Sequence, residues 1–529
     1  MRISSAKAAA VTGLGVLPLI AFGACSSSSA THGGATSTTD SGTSDMGASP
    51  QGCQPGRTAT AYLAGAASST TAGAPADGGA APEPCFVLTG EGSAESSIGI
   101  GSDGTVFFAP AFGPDGNGIV RSKDEGVTWE HLVPRFPGGG GHGRTQPFMY
   151  VDPSTNRVFF ATSVLGNPEA GASPTGFNLT VSSDEGATWS YQAIAPDVRD
   201  WIKIYAGPPV SSQPDGYPNI VYASAPSPIS TPDSIIYPQP DHQSVYKSLN
   251  GGSTWQSAND GGAGGLTLDP TSEVEAGLAT ATTCPPTEWV IFGDGVVGSD
   301  GVIYLGLRMC TQLAIATSKD EGSTWTTIVV PGSTLPSFKS ILSPLTTNNL
   351  LQSEPVVVDS ANNLYAIWND AAGLVRLSVS TDHGTTWNGG AGPLVVSAPG
   401  LTSTVYSAMA VKSPGTLAIA YYGSADGKTY NGYIAESLDA TASLPLFWSA
   451  AVNDPADPLF TMGFDPGYSE GTTADLVEFV QVKYAPSGDI WASFVKEMCP
   501  GEKTSACTWD YALHANSVFQ GAVGRLVHP

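Results

Sequence analysis

The sequence predicts an all-β fold assembled from repeated four-stranded sheets, and three observations support this prediction. Glycine and proline, with 64 and 41 copies among 529 residues, favour turns over long helices. Hydrophobic residues make up 41% of the chain, which is enough to form a large core. A short motif also recurs five times at a nearly constant interval, and such a recurrence is typical of a repeat architecture.

The repeated motif has the form S-x-D/N-x-G-x-T-W. Its copies are SKDEGVTW (122–129), SSDEGATW (182–189), SLNGGSTW (248–255), SKDEGSTW (318–325) and STDHGTTW (380–387). The Asp or Asn can accept hydrogen bonds from the backbone of a tight turn, the glycine can be left-handed, and the tryptophan can pack on the next strand. We therefore predict a structural corner between two outer strands at each copy. The corner residues are Asp124, Asp184, Asn250, Asp320 and Asp382, with Trp129, Trp189, Trp255, Trp325 and Trp387.

This motif resembles the Asp-box, or BNR, repeat of sialidase-like β-propellers. The resemblance implies a ring of four-stranded blades, with the boxes on the face away from the ligand site. Successive box Asp or Asn residues are 60, 66, 70 and 62 residues apart, so residues 85–529 hold about seven units. We predict seven blades, and six, the number in catalytic sialidases, is the alternative. Segments that fit innermost strands begin at Ser96, Pro147, Asp200, Glu288, Glu354, Thr404 and Glu478.

The N-terminus has the pattern of an export signal. Arg2 and Lys7 precede a mostly apolar run over 8–22, which is too short to cross a bilayer and is typical of a signal peptide. The run ends in FGAC, which resembles a bacterial lipoprotein signal and implies that Cys25 is acylated. An ordinary secretory signal is the alternative. We predict a lipid anchor at the outer membrane or cell surface.

Composition divides the chain into three predicted parts: a signal peptide over 1–24, a flexible tether over 25–84 and a propeller over 85–529. The tether is assigned because Ser, Thr, Gly, Ala and Pro dominate that stretch and cannot bury enough apolar surface to fold.

The cysteines other than Cys25 form an even set of six, which suits an oxidising compartment. Proximity along the chain suggests the pairs Cys53–Cys85, Cys284–Cys310 and Cys499–Cys507, among 15 pairings that six cysteines allow. No CxxC motif occurs, so a zinc site is not expected. We predict no cofactor, with a structural Ca²⁺ at GPDGNG (113–118) or GDGVVGSDG (293–301) as the alternative.

The formal net charge of −25 argues against the basic surface that nucleic acids or anionic membranes require. The remaining partner classes are a glycan or a cell-surface protein, with the membrane reached only through the N-terminal lipid. We expect a monomer.

Two further segments resemble catalytic segments of sialidases, namely TEWVIFGDGVVGSDGVIYLGLR (287–308) and VYSAMAVKSPGTLAIAYY (405–422). The resemblance implies that Tyr406 is a nucleophile, that Glu288 activates it, and that Arg308 clamps a substrate carboxylate. A third segment, DVRDWIKIYAGPP (197–209), resembles one found in bacterial sialidase-like proteins. The additional substrate-binding candidates are Asp200, Glu354, Arg199 and Arg376.

The sequence also departs from the catalytic pattern. The N-terminal Phe/Tyr-Arg-Ile-Pro element is missing, and no Asp is singled out as a general acid. Acidic residues at strand starts would repel an anionic sugar, although they suit hydroxyl groups. Tyr406 can also be a packing residue. Two functions therefore stay open: a glycan-directed protein that binds, or hydrolyses as a retaining exo-α-sialidase, and a non-catalytic scaffold for protein–protein interaction.

Overall fold

The computed structural model describes 52–66, 80–93, 95–110, 118–134, 144–164, 177–194, 202–227, 242–258, 265–266, 289–309, 311–335, 355–461, 479–498, 509–510, 515–516 and 519–528. Within these ranges the chain forms seven four-stranded antiparallel blades, two of which include strands from the N-terminal region. The helical content of the same ranges is a single 3-10 turn at Asn388–Gly390. The prediction of a seven-bladed, all-β propeller is therefore confirmed, and the alternative of six blades is wrong.

The strands follow one another in the order of the blades. Two N-terminal strands, β1 (Thr60–Leu63) and β2 (Glu83–Gly92), come first. Blade 1 contains β3 (Ser97–Ile100), β4 (Val106–Ala109), β5 (Ile119–Ser122) and β6 (Glu130–Leu132). Blade 2 contains β7 (Arg144–Val151), β8 (Val158–Val164), β9 (Phe177–Ser182) and β10 (Ser190–Ile194). Blade 3 contains β11 (Lys203–Gly207), β12 (Ile220–Ser227), β13 (His242–Ser248) and β14 (Gln256–Ser257), and β15 (Gly265–Leu266) also pairs with β13.

The remaining blades have the same arrangement. Blade 4 contains β16 (Trp289–Val297), β17 (Ile303–Met309), β18 (Gln312–Ser318) and β19 (Thr326–Val329). Blade 5 contains β20 (Val356–Val358), β21 (Leu364–Asn369), β22 (Val375–Ser380) and β23 (Leu394–Val395). Blade 6 contains β24 (Ser403–Ser413), β25 (Thr416–Ser424), β26 (Asn431–Ser437) and β27 (Leu446–Ala451). Blade 7 contains β28 (Val482–Tyr484), β29 (Ile490–Glu497), β32 (Phe519–Val527) and β2, while β30 (Trp509–Asp510) and β31 (Ala515–Asn516) form a separate pair.

The innermost strands surround the central channel. They are β3, β7, β11, β16, β20, β24 and β28, and each contacts the next, with β28 returning to β3. Each overlaps one of the seven segments predicted for innermost strands. Because the first and third strands of a blade are parallel, their ends lie on one face of the ring, which we call the box face. The starts of the innermost strands lie on the opposite face, called the mouth face.

The five Asp-box motifs form nearly identical turns on the box face. In the first, Asp124 Oδ1 accepts a hydrogen bond from the Thr128 amide at 2.9 Å, and the Gly126 amide donates to Ser122 Oγ at 2.8 Å. The equivalent amide-to-box-oxygen distances in the other four turns are 2.7–2.9 Å. The residue after each box Asp or Asn has a positive φ, between 55° and 63°. In each box, the peptide group of this left-handed residue therefore points away from its own hairpin, at the same position of the turn.

That left-handed residue is held by the preceding blade in all five boxes. Arg525 Nη1 donates to the Glu125 carbonyl at 2.9 Å, and Arg157 Nη1 donates to the Gly251 carbonyl at 2.8 Å. Arg121 donates to the Glu185 carbonyl. Lys247 pairs with Glu321 at 3.4 Å, and Tyr304 Oη lies 2.8 Å from His383 Nδ1. The boxes therefore link neighbouring blades as well as closing their own hairpins.

Glu321 makes the most extensive of these contacts. Its Oε1 accepts hydrogen bonds from the amides of Val210, Ser211 and Ser212 at 2.9, 2.6 and 2.8 Å, and its Oε2 pairs with Lys247. Burial acts to raise the pKa of Glu321, but the hydrogen bonds from Ser212, Ser211 and Val210 outweigh it and lower the pKa to about 2. The carboxylate form is thus the one that joins blades 3 and 4.

The N-terminal strap, made of 52–66 and 80–92, corrects the predicted tether over 25–84. Strand β1 pairs with β27 of blade 6, and β2 pairs with β32 of blade 7. Arg57 Nη2 donates to the Ala451 carbonyl at 2.7 Å, and Tyr62 Oη donates to the Val396 carbonyl of blade 5 at 2.6 Å. The tether prediction is wrong here because an edge strand gains its hydrogen bonds from the sheet and needs few large apolar side chains.

The disulfide between Cys53 and Cys85 is present, as predicted, and joins the two halves of the strap. Several other predictions concern residues outside the described ranges and stay untested. They are the signal peptide, acylation of Cys25, the disulfides Cys284–Cys310 and Cys499–Cys507, and a Ca²⁺ site at GPDGNG.

The box tryptophans differ in burial, which predicts unequal effects of their removal. Trp387 is 6% exposed, whereas Trp325 is half-buried. We expect Trp387→Ala to lower the free energy of unfolding by about 3–5 kcal/mol, and Trp325→Ala by roughly half as much, because less apolar surface is lost. Chemical denaturation measures both values. Equal losses would contradict the assignment of Trp387 to a deeper core position.

Glu321 predicts a specific acid sensitivity. Because its folded pKa is depressed, its stabilising contribution is complete above the unfolded pKa near 4.5 and is lost as the pH falls towards 2. Glu321→Gln should therefore cost roughly 3 kcal/mol at pH 7, and the difference from wild type should shrink at pH 3. Glu125→Gln is the matched control, since Glu125 occupies the same box position with its side chain 67% exposed. A pH-independent difference for Glu321→Gln would refute the mechanism.

Candidate functional site

Tyr406 has an unusual backbone conformation on the innermost strand of blade 6. Its φ is +53°, at a β-bulge between Val405 and Ala408. Among the described residues, the other seven non-glycine residues with positive φ are four box residues and three asparagines. Asparagine tolerates this region, whereas a bulky aromatic residue is strained there by about 1–3 kcal/mol. Neighbouring structure must therefore impose the conformation of Tyr406.

Blade 5 supplies part of that constraint through Asn369, the last residue of β21. Asn369 Nδ2 donates to Thr404 Oγ1 at 2.8 Å, and Ser407 Oγ donates to Asn369 Oδ1 at 2.9 Å. Thr404 Oγ1 also donates to the Gly373 carbonyl at 2.8 Å. These bonds fix the backbone on both sides of Tyr406. Sequence analysis missed Asn369, although a polar residue at the end of the apolar segment LYAIWN was the available signal.

The ring of Tyr406 packs at the interface of blades 6 and 7. Tyr406 is 3% exposed, and its ring meets Tyr422 edge-on with a centroid separation of 6.5 Å. Tyr422 in turn contacts Phe460 and Phe494 at 5.6 and 5.3 Å, and its hydroxyl accepts the Val495 amide. Burial raises the pKa of Tyr422 far above its usual value. The ring of Tyr406 is thus held in place by packing on Tyr422, which is itself packed between two phenylalanines.

The other predicted site residues are described only in part. Arg376 lies on the third strand of blade 5, where its Nε donates to Asp370 Oδ2 at 2.6 Å, so it is off the innermost strand. Arg308 lies near the end of β17, and its side chain is outside the described residues, as are Glu288, Asp200, Glu354 and Arg199. The convergence of Glu288, Arg308 and Tyr406 therefore stays a prediction.

Two charged residues at the mouth were not connected by sequence analysis. Lys203 is the first residue of β11, and its Nζ lies 4.7 Å from the ring centroids of both Phe148 and Phe479. Glu95 directly precedes the first blade, and both charged residues are 4% exposed. The signal for Lys203 was a lysine within the apolar segment WIKIYA.

Glu497 is a further carboxyl group on the mouth face that sequence analysis missed. It ends β29, is half-buried, and accepts a hydrogen bond from the Thr461 amide at 3.4 Å. Burial raises the pKa of Glu497 above its usual value. Such a carboxyl group can hold a proton closer to neutral pH than an exposed one.

Within the described ranges, no group of three or more His, Cys, Asp or Glu residues is arranged to hold a metal ion. No helix in those ranges is long and apolar enough to span a membrane.

Comparison with known proteins gives partial matches. No family model matches the chain. The chain is 30% identical over 149 residues to the xyloglucanase Xgh74A of Acetivibrio thermocellus, which corresponds to 27% of this chain and 16% of that protein. It is also 30% identical over 141 residues to a xyloglucanase of a Paenibacillus species, 26% of this chain and 13% of that protein. The chain thus spans less than a fifth of the length of these curated relatives.

Comparison with solved structures gives matches of low TM-score that cover most of the chain. YCF48 from Cyanidioschyzon merolae has a TM-score of 0.42 at 11% identity, covering 84% of this chain and 98% of that one. The intramolecular trans-sialidase from Ruminococcus gnavus has a TM-score of 0.37 at 14% identity, with coverages of 82% and 96%. The α-L-arabinanase of Penicillium chrysogenum has a TM-score of 0.38 at 13% identity, with coverages of 75% and 98%. The chain is a seven-bladed β-propeller with Asp-box repeats, as its own strand pairing shows.

Proposed function

We propose that this protein binds a glycan at the mouth of its propeller. The observation that carries the proposal is Tyr406, held at φ +53° in a bulge of an innermost strand by bonds from the neighbouring blade. Bulges and strained backbones are concentrated next to ligand sites, where they direct a side chain. Propellers commonly bind ligands where the innermost strands begin.

The chemistry around Tyr406 suits a sugar. Aromatic rings pack against the C–H faces of a pyranose, and a phenolic hydroxyl can donate or accept a hydrogen bond. The net charge of −25 disfavours polyanions. The two xyloglucanases that match part of the chain support a glycan as the ligand.

Hydrolysis is the second candidate, because Tyr406 lies in the segment that resembles the sialidase nucleophile. In that reaction Tyr406 Oη attacks the anomeric carbon and gives its proton to Glu288, while the bond from that carbon to the aglycone oxygen breaks and the aglycone leaves with a proton from solvent. Water then attacks the anomeric carbon of the glycosyl-enzyme, releases the sugar with net retention and returns Tyr406 to its protonated form. Tyr406 is 3% exposed, which leaves its phenolic oxygen little access to an anomeric carbon. We expect weak release of sialic acid from common sialosides, or none.

The proposal includes a lipid anchor at Cys25. A chain of 26 residues lies between Cys25 and Gly52, the first residue that the structure describes, and could extend to roughly 85 Å. Cys25→Ser should move the protein from the membrane fraction to the soluble fraction and abolish incorporation of radiolabelled palmitate. Membrane retention of the variant with unchanged labelling would contradict acylation at this residue.

Glycan binding is tested on an array of neutral, sialylated and uronic-acid glycans, followed by calorimetry on the best ligand. We expect the wild type to bind, and Tyr406→Ala to lose at least tenfold in affinity because both the ring and the constraint on the bulge are removed. Trp387→Ala is the matched control, since it removes a buried aromatic residue on the box face and should leave affinity within twofold.

The same experiment distinguishes glycan binding from glycan hydrolysis. Tyr406→Phe retains the ring, so it should keep most of the affinity while abolishing any turnover that requires the phenolic oxygen. Robust sugar release that disappears in Tyr406→Phe would establish hydrolysis. A wild type that binds no glycan on the array would refute the proposal and favour the protein scaffold.

A further inference from the structure

Among the described polar contacts between neighbouring blades, two involve a histidine. At the boundary of blades 4 and 5, His383 Nδ1 lies 2.8 Å from Tyr304 Oη. At the boundary of blades 6 and 7, His528 Nε2 lies 2.7 Å from Glu436 Oε2. Histidine is the side chain whose ordinary pKa makes its charge change between pH 5 and 8. These two contacts are therefore the candidates for a response of the ring to pH near neutrality.

The two histidines differ in the chemistry of their partners. The Tyr304 hydroxyl can donate to a neutral imidazole or accept from a charged one, so its contact with His383 survives either charge state. The carboxylate nearest to that histidine, Asp300, is 3.8 Å away, and both side chains are partly exposed, His383 by 45% and Asp300 by 34%. Glu436 instead offers a carboxylate, which only accepts, and its side chain is 4% exposed. A buried carboxylate needs a compensating charge, so the proton on His528 has the larger effect.

The His528–Glu436 pair joins the third strands of two blades. Glu436 lies in β26 of blade 6, and His528 directly follows β32 of blade 7. Glu436 Oε1 also accepts a hydrogen bond from Tyr484 Oη, on the innermost strand of blade 7, at 3.1 Å. Burial, together with the charge of Glu436, raises the pKa of Tyr484 well above its usual value, so its hydroxyl remains a donor. The His528 amide donates to Asp489 Oδ1 at 3.1 Å, which fixes the backbone next to the imidazole.

We propose that the His528–Glu436 ion pair is a pH-dependent switch at the boundary of blades 6 and 7, which is stabilised while His528 carries its second proton and loosens when that proton is lost. The imidazole is 35% exposed, so the proton can pass to solvent. The stabilisation is complete below the pKa of an unpaired histidine, about 6.5, and is lost as the pH rises through the pKa of the paired one. The switch belongs to the fold and does not depend on the proposed glycan ligand.

The other charged groups around the pair keep their charge between pH 6 and 8.5, because lysine, arginine and exposed or paired carboxylates titrate outside this interval. Lys412 Nζ is 5.9 Å from the ring centroid of Tyr484, and Arg525 Nη2 lies 3.4 Å from Asp489 Oδ2 and 3.1 Å from Glu125 Oε2. Lys483 directly precedes Tyr484. A change across this interval therefore reports on His528. The neutral imidazole can still donate from Nε2, so the boundary loosens without separating.

The pair is placed where loosening would reach the packing between the two blades. Leu526, at the end of β32, belongs to the same apolar cluster as Val482 of blade 7 and Ile434 of blade 6. Strand β32 itself stays paired with β29 and β2. We therefore expect the contact between the sheets to open more often at high pH while each sheet remains intact.

Hydrogen–deuterium exchange of the full chain at pH 6 and pH 8.5, corrected for intrinsic exchange rates, tests the switch. His528→Gln keeps a neutral donor in the place of Nε2 but cannot become charged. At pH 6 we expect the variant to lose at least threefold in protection in peptides covering 482–484 and 519–528, a modest factor because the imidazole is partly exposed. At pH 8.5 the variant and the wild type should agree.

His383→Asn is the matched control, since its amide replaces Nδ1 in the other contact between a histidine and a neighbouring blade. It should leave the protection of the same peptides equal to that of the wild type at both pH values. A second readout is NMR of the chain labelled with ¹³C in its histidine rings, in which the signal missing from His528→Gln identifies His528. This signal should titrate at a higher pH in the wild type than in Glu436→Gln.

Two results would overturn the switch. One is an equal loss of protection in His528→Gln at pH 6 and pH 8.5, or no loss at either, because a contact without a charge change has no pH dependence. The other is a His528 signal that titrates at the same pH in the wild type and in Glu436→Gln. If Glu436→Gln fails to fold, the comparison of His528→Gln with the wild type across pH still decides. Neither result bears on glycan binding.

Discussion

The rest of the structure depends on the polar contacts that each blade makes with the Asp-box of the next blade. The box turn holds one residue at φ 55–63°, so its peptide group projects towards the preceding blade. Arg525, Arg157 and Lys247 reach this residue from three different blades. The two boundaries without a complete box have substitutes: Tyr365 Oη accepts the Gly415 amide at 2.9 Å, and Glu436 accepts from Tyr484 Oη at 3.1 Å. Polar contacts thus join the ring at every blade boundary.

Ring closure adds a second constraint. Blade 7 takes its outermost strand from β2, near the start of the described chain, while Arg525, near its end, holds the first box. Strand β1 extends blade 6, and the disulfide between Cys53 and Cys85 joins both strands. Because these contacts join the edges and the box face, the ring does not depend on the mouth face alone for its closure. The strained backbone of Tyr406 and the hydroxyl of Ser96, which has no partner among the described residues, are tolerated there.

The sequence was sufficient for the architecture because the box is a local motif. Five Asp or Asn residues with a glycine and a tryptophan at fixed spacing specify a turn, and the interval between turns specifies the blade. The first half of the strap was not predictable from composition, since β1 is held by the hydrogen bonds of β27. The motif does not specify how deeply each tryptophan is buried: Trp325 is half-buried, so the full cost of a core tryptophan applies to Trp387.

The mouth depends on contacts between residues far apart in sequence, which local patterns do not reveal. Tyr406 was found through a resemblance, but the bond from Asn369 that holds its bulge joins two blades. Lys203 and Phe479 are 276 positions apart, and only closure of the ring brings them within 4.7 Å. A single charged residue in an apolar strand gives no indication of which aromatic side chain it will contact.

The central claim is that the box face holds the ring together while the mouth face binds the ligand. Hydrogen–deuterium exchange measured by mass spectrometry, with and without a saturating neutral oligosaccharide, tests this division most directly. The account predicts new protection in peptides covering 95–100, 202–207, 403–409 and 479–484, with no change in the five box turns. Protection confined to the box turns, or no protection in any innermost strand, would contradict it.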